Sequence, residues 1–433
     1  MSDIFKIDIE KLERKRDTKG LIKALRNPDS YTRWRAAIAL KNIGDSSALP
    51  HLIELLSDEN DYVRLRAVEA VGLLGGEKAI DYIIDALNDK NEHVKKTAIE
   101  VLVNLGEKSI PKVLKLLKEG ERQIRRSAAE ILDKIGWEPE NKEEEILYYI
   151  AKEEWERIVR FGKDAVGILI KLLKDKSDTL RLNAAEKLGE IGDARAITPL
   201  TNLLSDKNRF IRLKAAEAIT KITGNATPLM KLLDDEDDQI RLKAVELIGE
   251  TEDFTVVDAL KKLLKDRNAL IRKATAKSLE KIGWIPKTEE ELLHYLIAKE
   301  EWDRVARFSE AYRVLMEFLD DEDENVRCRV VEALGRLRDP RCVDGLIKKL
   351  SDESRFVRWR AAEALGMIKD KRALKPLIKA LEDECEFVRW KAAEALGELR
   401  DPEAIEALMR AMEDESEYVR WSAAEALWRI RVG

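Results

Sequence analysis

The 433-residue chain carries 79 basic and 85 acidic side chains, a formal charge of −6, with 38% charged and 45% hydrophobic residues. That balance argues against a dedicated nucleic-acid binder, which carries a clear basic excess, and no run approaches the eighteen apolar residues of a membrane span. Only two glutamines (Gln123, Gln239) and three scattered cysteines (Cys328, Cys342, Cys385) are present, and the opening MSDIFKIDIEKLERKR has no apolar core or cleavage site, so a thermophile-like, cytoplasmic protein without a leader is expected.

In chain order, residues 7–17 (IDIEKLERKRD) read as an added helix covering the first repeat. From there the chain repeats itself. An Arg or Lys in a V/I-R-x-x-A signature falls at Arg33, Arg64, Lys95, Arg125, Arg181, Arg212, Arg241, Arg272, Arg327, Arg358, Arg389 and Arg420. Most intervals are 29 to 31 residues, and two, 125 to 181 and 272 to 327, are 56 and 55. A fixed period of this length is the signature of a stacked-repeat architecture. Each repeat predicts two helices, the first like ALKPLIKALEDE (373–384) and the second like FVRWRAAEALGMI (356–368). Between these helices a turn such as Ile191-Gly192-Asp193 or Arg338-Asp339-Pro340 is expected, Gly being a helix-stop residue and Asp a turn residue.

The two long intervals hold matching insertions at an offset of 147, GWEPENKEEEILYYIAKEEWERIVRFG from Gly136 and GWIPKTEEELLHYLIAKEEWDRVARFS from Gly283. Each predicts a Gly-Trp-x-Pro turn and one extra amphipathic helix, with acidic residues such as Glu143, Glu144 and Glu145 at its positive N-terminal end. The expected organisation is a single continuous array over 1–433. Repeats 1–4 with the covering helix occupy 1–136, an insertion 137–163, repeats 5–8 164–283, a second insertion 284–310 and repeats 9–12 311–433.

The unit running from Asp370 to Gly397, with LKPLIKALEDE followed by FVRWKAAEALG, resembles the short HEAT-like repeat of bilin lyase subunits, deoxyhypusine hydroxylase and archaeal repeat proteins. The GWxP…YxIAKxxW insertion also resembles one found in archaeal and cyanobacterial members. The resemblance spans essentially the whole chain and implies an all-α, right-handed superhelical solenoid of about twelve two-helix repeats with two extra inserted helices. It also implies that the second helices line the concave wall. It does not by itself imply a function, which resides in sites and not in folds.

On a helical wheel with Arg358 at zero, Val357, Ala361, Ala364, Leu365 and Ile368 form the core stripe, with Ala362 and Gly366 a small-residue flank for a close neighbour. Trp359, Arg360, Glu363 and Met367 fall opposite. The same position holds Trp34, Trp390 and Trp421, with Phe356, Phe387 and Tyr418 one turn earlier and Arg35, Arg360 and Lys391 beside the tryptophans. Trp, Tyr and Arg are enriched at binding hot spots, so Phe356, Trp359, Arg360, Phe387, Trp390, Lys391, Tyr418, Trp421, Trp34 and Arg35 form the candidate partner-binding set. The competing reading is packing, because Leu65, Leu182, Leu213, Leu242 and Cys328 take the Trp position elsewhere. The marker Arg, at the core edge and preceded by Asp-Glu pairs such as Asp352-Glu353, predicts ion pairs and turn caps between repeats. Basic residues two after the marker face glutamates three further on (Arg360 and Glu363, Lys391 and Glu394), which predicts a neutralised, solvated face.

Catalytic motifs are missing. His51, His93 and His294 stand in separate repeats and none precedes a Glu, so the His-Glu pairs on which the resembling hydroxylase relies are not here. HExxH, CxxC, GxSxG and a phosphate-binding glycine loop do not occur. His294, opposite Leu147 in the first insertion, reads as a surface or partly packed residue, and the cysteines as packing residues. No metal, cofactor or catalytic residue is expected. The reading is a non-enzymatic scaffold or adaptor for a protein partner. The alternatives are nucleic acid or ribonucleoprotein binding through the basic and aromatic ladder, and a bilin-lyase-like small-ligand chaperone. Trp428, replacing the usual small residue, is expected either to cap its own end or to form a weak dimer there.

Overall fold

The computed structural model describes residues 7–251 and 253–432. Residues 1–6 of the stretch read for a leader, together with Glu252 and Gly433, lie outside the described residues. Every regular element among the described residues is helical. By contact the chain divides into two compact units, Met1–Ile222 and Thr223–Gly433, so the division falls inside the middle block of repeats and not at an insertion.

Each repeat is a short first helix and a longer second one. In a typical case Asp370 accepts the Arg372 N–H and starts a one-turn 3₁₀ segment, Lys371–Ala373, which runs into the helix Leu374–Ala380. The second helix, Glu386–Leu399, comes after a tight loop. Most second helices end on a left-handed residue, which frees the chain to turn into the next repeat. Glycine supplies it at Gly44, Gly136, Gly192 and Gly283, whereas Arg338, Lys369 and Arg400 adopt it at φ of 53–60°. The expected covering helix is present as Ile9–Arg14, capped by Asp8 and packed on the first two helices of the array.

The core stripe is where the wheel puts it. Val357, Ala361, Ala364 and Leu365 are buried, and so are the flanking Ala362 and Gly366. The flank sets how closely second helices stack. A Cβ on Gly335, Gly366 or Gly397 would lie 2.8–2.9 Å from the Cα of Ala364, Ala395 or Ala426 in the next repeat, so the bare glycine lets one helix backbone rest on the next.

The marker Arg is buried at nine of its positions, Arg33, Arg64, Arg125, Arg181, Arg241, Arg272, Arg327, Arg358 and Arg389, and works in two directions. In the repeat of Arg358, its Nη1 donates to the Asp352 and Glu353 carbonyls of its own loop. Its Nε and Nη2 donate to both oxygens of Asp383 in the next loop, at 2.8 and 3.0 Å. Asp383 in turn accepts the Cys385 N–H, shaping its own loop, and its carbonyl accepts from Arg389. The bidentate fork is what Arg provides and Lys does not. In the second compact unit these links run unbroken from Arg241 through Asp266, Arg272, Asp321, Arg327, Asp352, Arg358, Asp383, Arg389 and Asp414 to Arg420. In the first, the series is interrupted where Lys95 and Glu119 replace Arg and Asp; Lys95 pairs with Glu92 instead.

The insertions contain two helices each, not the single one expected: Lys142–Lys152 with Trp155–Val159, and Glu289–Ala298 with Trp302–Val305. The break comes where Glu153 and Glu300 adopt φ of 59°. The motif residues are structural. The backbone N–H groups of Trp137 and Trp284 donate to the Leu132 and Leu279 carbonyls past the left-handed glycine. Their rings then pack on Tyr148 and Tyr295 at 5.8 Å. Lys152 and Lys299 sit over those tyrosines and pair with Asp133 and Glu280, so the extra helix is folded back on the preceding second helix. The Arg–Asp links pass straight across both insertions, Arg125 to Asp175 and Arg272 to Asp321.

Substitution separates the clamp from an ordinary surface pair. Arg358→Met strands the Asp383 carboxylate and two loop carbonyls, and is expected to lower unfolding free energy by about 3 kcal/mol. Arg410→Met, at the exposed Arg410–Glu406 pair, is expected to change it by less than about 0.5 kcal/mol; guanidinium titration checks both. Burial acts to raise the Asp89, Asp352 and Asp414 carboxyls, but hydrogen bonds from Arg64, Arg327 and Arg389 and from loop N–H groups outweigh it and hold them below the usual range. Asp193 and Asp238, bonded chiefly by Arg195 and by Asn268 with Arg267, are held at about 2. Depressed carboxylates add stability above the unfolded value of about 3.9 and lose it as pH falls through the folded value. Asp321, raised by burial, protonates before the others and contributes with the opposite sign. The melting temperature is therefore expected to stay level from neutral pH to about pH 4 and then to drop steeply towards pH 2 in circular dichroism melts.

Candidate functional site

The candidate residues fall on second helices of both compact units. Trp34 and Arg35 lie on Ser30–Ile43; the others lie on Arg355–Ile368, Glu386–Leu399 and Glu417–Val432. Two classes of aromatic emerge. Trp34, Trp359 and Trp390 are half-buried and packed against the core. The next repeat reaches two of them: Trp34 meets Tyr62 at 5.8 Å edge-on, and Trp390 meets Tyr418 at 5.9 Å. Phe356, Phe387, Tyr418 and Trp421 are 49%, 47%, 61% and 65% exposed. The competing packing account therefore describes three of the tryptophans, while the aromatics one turn before them stay open to solvent. Trp428 is 63% exposed.

The cations sit on the indoles and not merely beside them. The Arg360 guanidinium lies 4.4 Å from the Trp359 ring centre, Lys391 Nζ 4.8 Å from Trp390, and Arg35 5.9 Å from Trp34. A helical wheel separates adjacent residues by 100° and so hides this contact; it arises because a long side chain folds back over its neighbour. Each contact is worth about 0.5–1 kcal/mol at a partly exposed site. The same cations are ion-paired. Arg360 donates to Glu363 at 2.7 Å, Lys391 to Glu394 at 2.9 Å and lies 3.3 Å from Glu363, and Arg35 donates to Glu10 at 3.0 Å. Lys214 with Glu186, Lys243 with Glu246 and Arg329 with Glu332 continue the pattern. Burial acts to lower the Lys391 ammonium, but its two glutamates outweigh it and raise it, so it stays charged. A cation held this way is poorly placed to neutralise phosphate. The Trp359 indole N–H, by contrast, is buried and finds no acceptor among the described residues. Such a donor costs free energy until something accepts from it.

A polar concavity of about 500 Å³ is lined by Trp302, Arg304, Arg329, Glu332 and Arg336, beside the one-turn helix of the second insertion. Its arginines are already paired, Arg304 with Glu301, Arg329 with Glu332 and Arg336 with Asp303. Cys342 is fully buried and its thiol is pushed up to about 11 by that burial, which makes it an unreactive packing residue, as expected. His294, expected at or near the surface, is instead buried, and its ring approaches the carboxylates of Glu290 and Glu317. No helix among the described residues is long and apolar enough to cross a membrane.

Known structures similar to the chain include an engineered protein solved by the Northeast Structural Genomics Consortium, at 20% identity over 96% of this chain and 99% of that one, with a TM-score of 0.28. Human deoxyhypusine hydroxylase in complex with glycerol is also similar, at 20% identity over 84% and 99% and a TM-score of 0.25. The Escherichia coli protein YibA matches at 21% identity over 67% and 98%, with a TM-score of 0.28. No curated protein sequence matches the chain. A family model described as HEAT repeats matches residues 18–102, 49–133, 81–167, 166–228, 226–313, 312–388 and 343–428, which together take in every repeat and both insertions. The chain belongs to the HEAT-repeat family.

Proposed function

We propose that this HEAT-repeat protein is a non-enzymatic scaffold that binds a protein partner along the face of its second helices, the concave wall of the solenoid, through the aromatics of the last three repeats. The observation that carries the reading is the row Phe356, Phe387, Tyr418 and Trp421, nearly half or more exposed on three successive second helices. Large aromatics held in line on rigid helices offer hot-spot area at low entropic cost. Against the nucleic-acid reading stand the overall charge of −6 and the paired state of Arg360 and Lys391. The polar, ion-paired lining of the cavity near Trp302 offers little to a bilin-like ligand, which buries mostly apolar surface.

The test uses the exposed residues, since truncating Trp359 or Trp390 would also unpack the core. Affinity capture from a lysate of the encoding organism, with nuclease added, is compared for the wild type and for Phe356→Ser/Phe387→Ser/Trp421→Ser. The triple variant is expected to melt within a few degrees of wild type, surface changes costing under about 0.5 kcal/mol each. It is also expected to lose the captured protein, with at least about a hundredfold weaker binding once the partner is purified. Unchanged capture by the folded variant refutes the aromatic row as the site, and capture that vanishes with nuclease assigns the face to nucleic acid.

A further inference from the structure

The insertions share the Gly-Trp-x-Pro turn, the Tyr and Lys that fold the longer helix back and the Trp that opens the short one, and among the positions where they differ is one where the longer inserted helix meets the next repeat. In the first, these positions hold Leu147, on the inserted helix, and Lys171, four residues before the clamp residue Asp175. In the second, the corresponding positions hold His294 and Glu317, the latter four residues before Asp321. Both changes convert residues that cannot ligate a metal at neutral pH into residues that can. The surroundings are otherwise kept: Lys118 faces Glu143 at 3.1 Å in the first insertion, and Lys265 faces Glu290 at 3.5 Å in the second.

The geometry of the second site is specific. Glu290 and His294 lie one turn apart on the helix Glu289–Ala298, and Glu317 ends the helix Ala311–Glu317. One ligand atom from each lies within 4.8 Å of the others. His294 is 3% exposed, with Phe318 at 5.9 Å holding its ring. Its Nδ1 lies 2.8 Å from the Glu290 carbonyl oxygen and its Nε2 3.1 Å from Glu317 Oε2. When Nδ1–H donates to that carbonyl, Nε2 aims a lone pair at a carboxylate oxygen, an arrangement a cation between them converts into two bonds. An imidazole oriented by a carbonyl on its far nitrogen is the common arrangement for a metal ligand. Lys265 Nζ, 3.1 Å from Glu317 and half-exposed, supplies the positive charge between the two carboxylates.

We propose that Glu290, His294 and Glu317 form a binding site for a borderline divalent cation of the zinc class, with the Lys265 ammonium as the charge it displaces. One imidazole and two carboxylates suit zinc, with solvent at the fourth position; calcium and magnesium prefer oxygen alone. The ion ties the inserted helix to the helix Ala311–Glu317 of the next repeat, at one insertion and not the other.

The test is zinc titration of the full chain, freed of metal with a chelator, by calorimetry and by thermal melts. The control is His294→Leu/Glu317→Lys, which installs the residues the first insertion already tolerates; Glu317→Gln is a second variant that keeps shape and removes one ligand. Wild type is expected to bind one zinc ion and to melt higher in its presence, as binding to the folded state requires. Glu317→Gln is expected to bind at least about tenfold more weakly, the double variant to lose both binding and the zinc-dependent shift, and Lys265→Met to bind more tightly than wild type. Magnesium is expected to do none of this. Cobalt substituted for zinc should give visible absorption bands in the wild type and not in the double variant. Equal zinc binding by wild type and double variant, or a wild-type melt indifferent to zinc, overturns the site and leaves His294 as a hydrogen-bonded partner of Glu317.

Discussion

The structure depends on one interaction used again and again: a buried arginine that grips the carbonyls of its own loop and the carboxylate of the next. A two-helix repeat of about thirty residues cannot bury its apolar face alone, and stacking supplies the missing surface. Apolar stacking is nevertheless non-directional and would tolerate sliding. The Arg358–Asp383 fork fixes the offset between neighbours, because both oxygens and three nitrogens must align at once. The glycines at 335, 366 and 397 fix the other coordinate, the distance, by letting one helix backbone touch an alanine of the next. A polar clamp at the loop end and a bare backbone along the helix together define each step of the array.

The clamp also explains how the insertions are accommodated. They lengthen the marker interval from about 30 residues to 56 and 55, yet Arg125 still reaches Asp175 and Arg272 still reaches Asp321. The loop ends of the flanking repeats thus stay in direct contact. The longer inserted helix packs on the preceding second helix and on the first helices of the repeats either side, and only a helix of one turn or so joins the second helices. The polar cavity beside Trp302 lies next to that short helix. An insertion of this kind alters the second-helix face locally while leaving the Arg–Asp series intact. It therefore brings new side chains to an otherwise periodic surface without unstitching the stack.

Much of this was legible in residue order because it is periodic. The marker arginines, the acidic pairs before each second helix, the core stripe and the small flank each recur at fixed spacing, and a spacing becomes a contact as soon as the helices stack. The structural role of the arginine came from its place at the core edge next to an acidic loop. Less was legible at the candidate site. The wheel set Trp359 opposite the core, but packing covers part of that face, so Trp34, Trp359 and Trp390 are half-buried while Phe356, Phe387, Tyr418 and Trp421 are the more open residues. The cation over each indole, the second short helix in each insertion and the burial of His294 were invisible for a shared reason. Each depends on side-chain reach or on a single left-handed residue, and neither leaves a periodic trace.

Sequence by itself determined the all-helical class, the repeat period, the place of the insertions and the identity of the groups that join neighbours, since these come from helical period, turn chemistry and fixed intervals. Tertiary structure alone decided which aromatics face solvent, which charges are already spent on one another, and that two glutamates and a histidine from separate helices converge at one insertion. Those outcomes are set by what the next repeat lays over each side chain, and a linear pattern does not encode the neighbour's coverage.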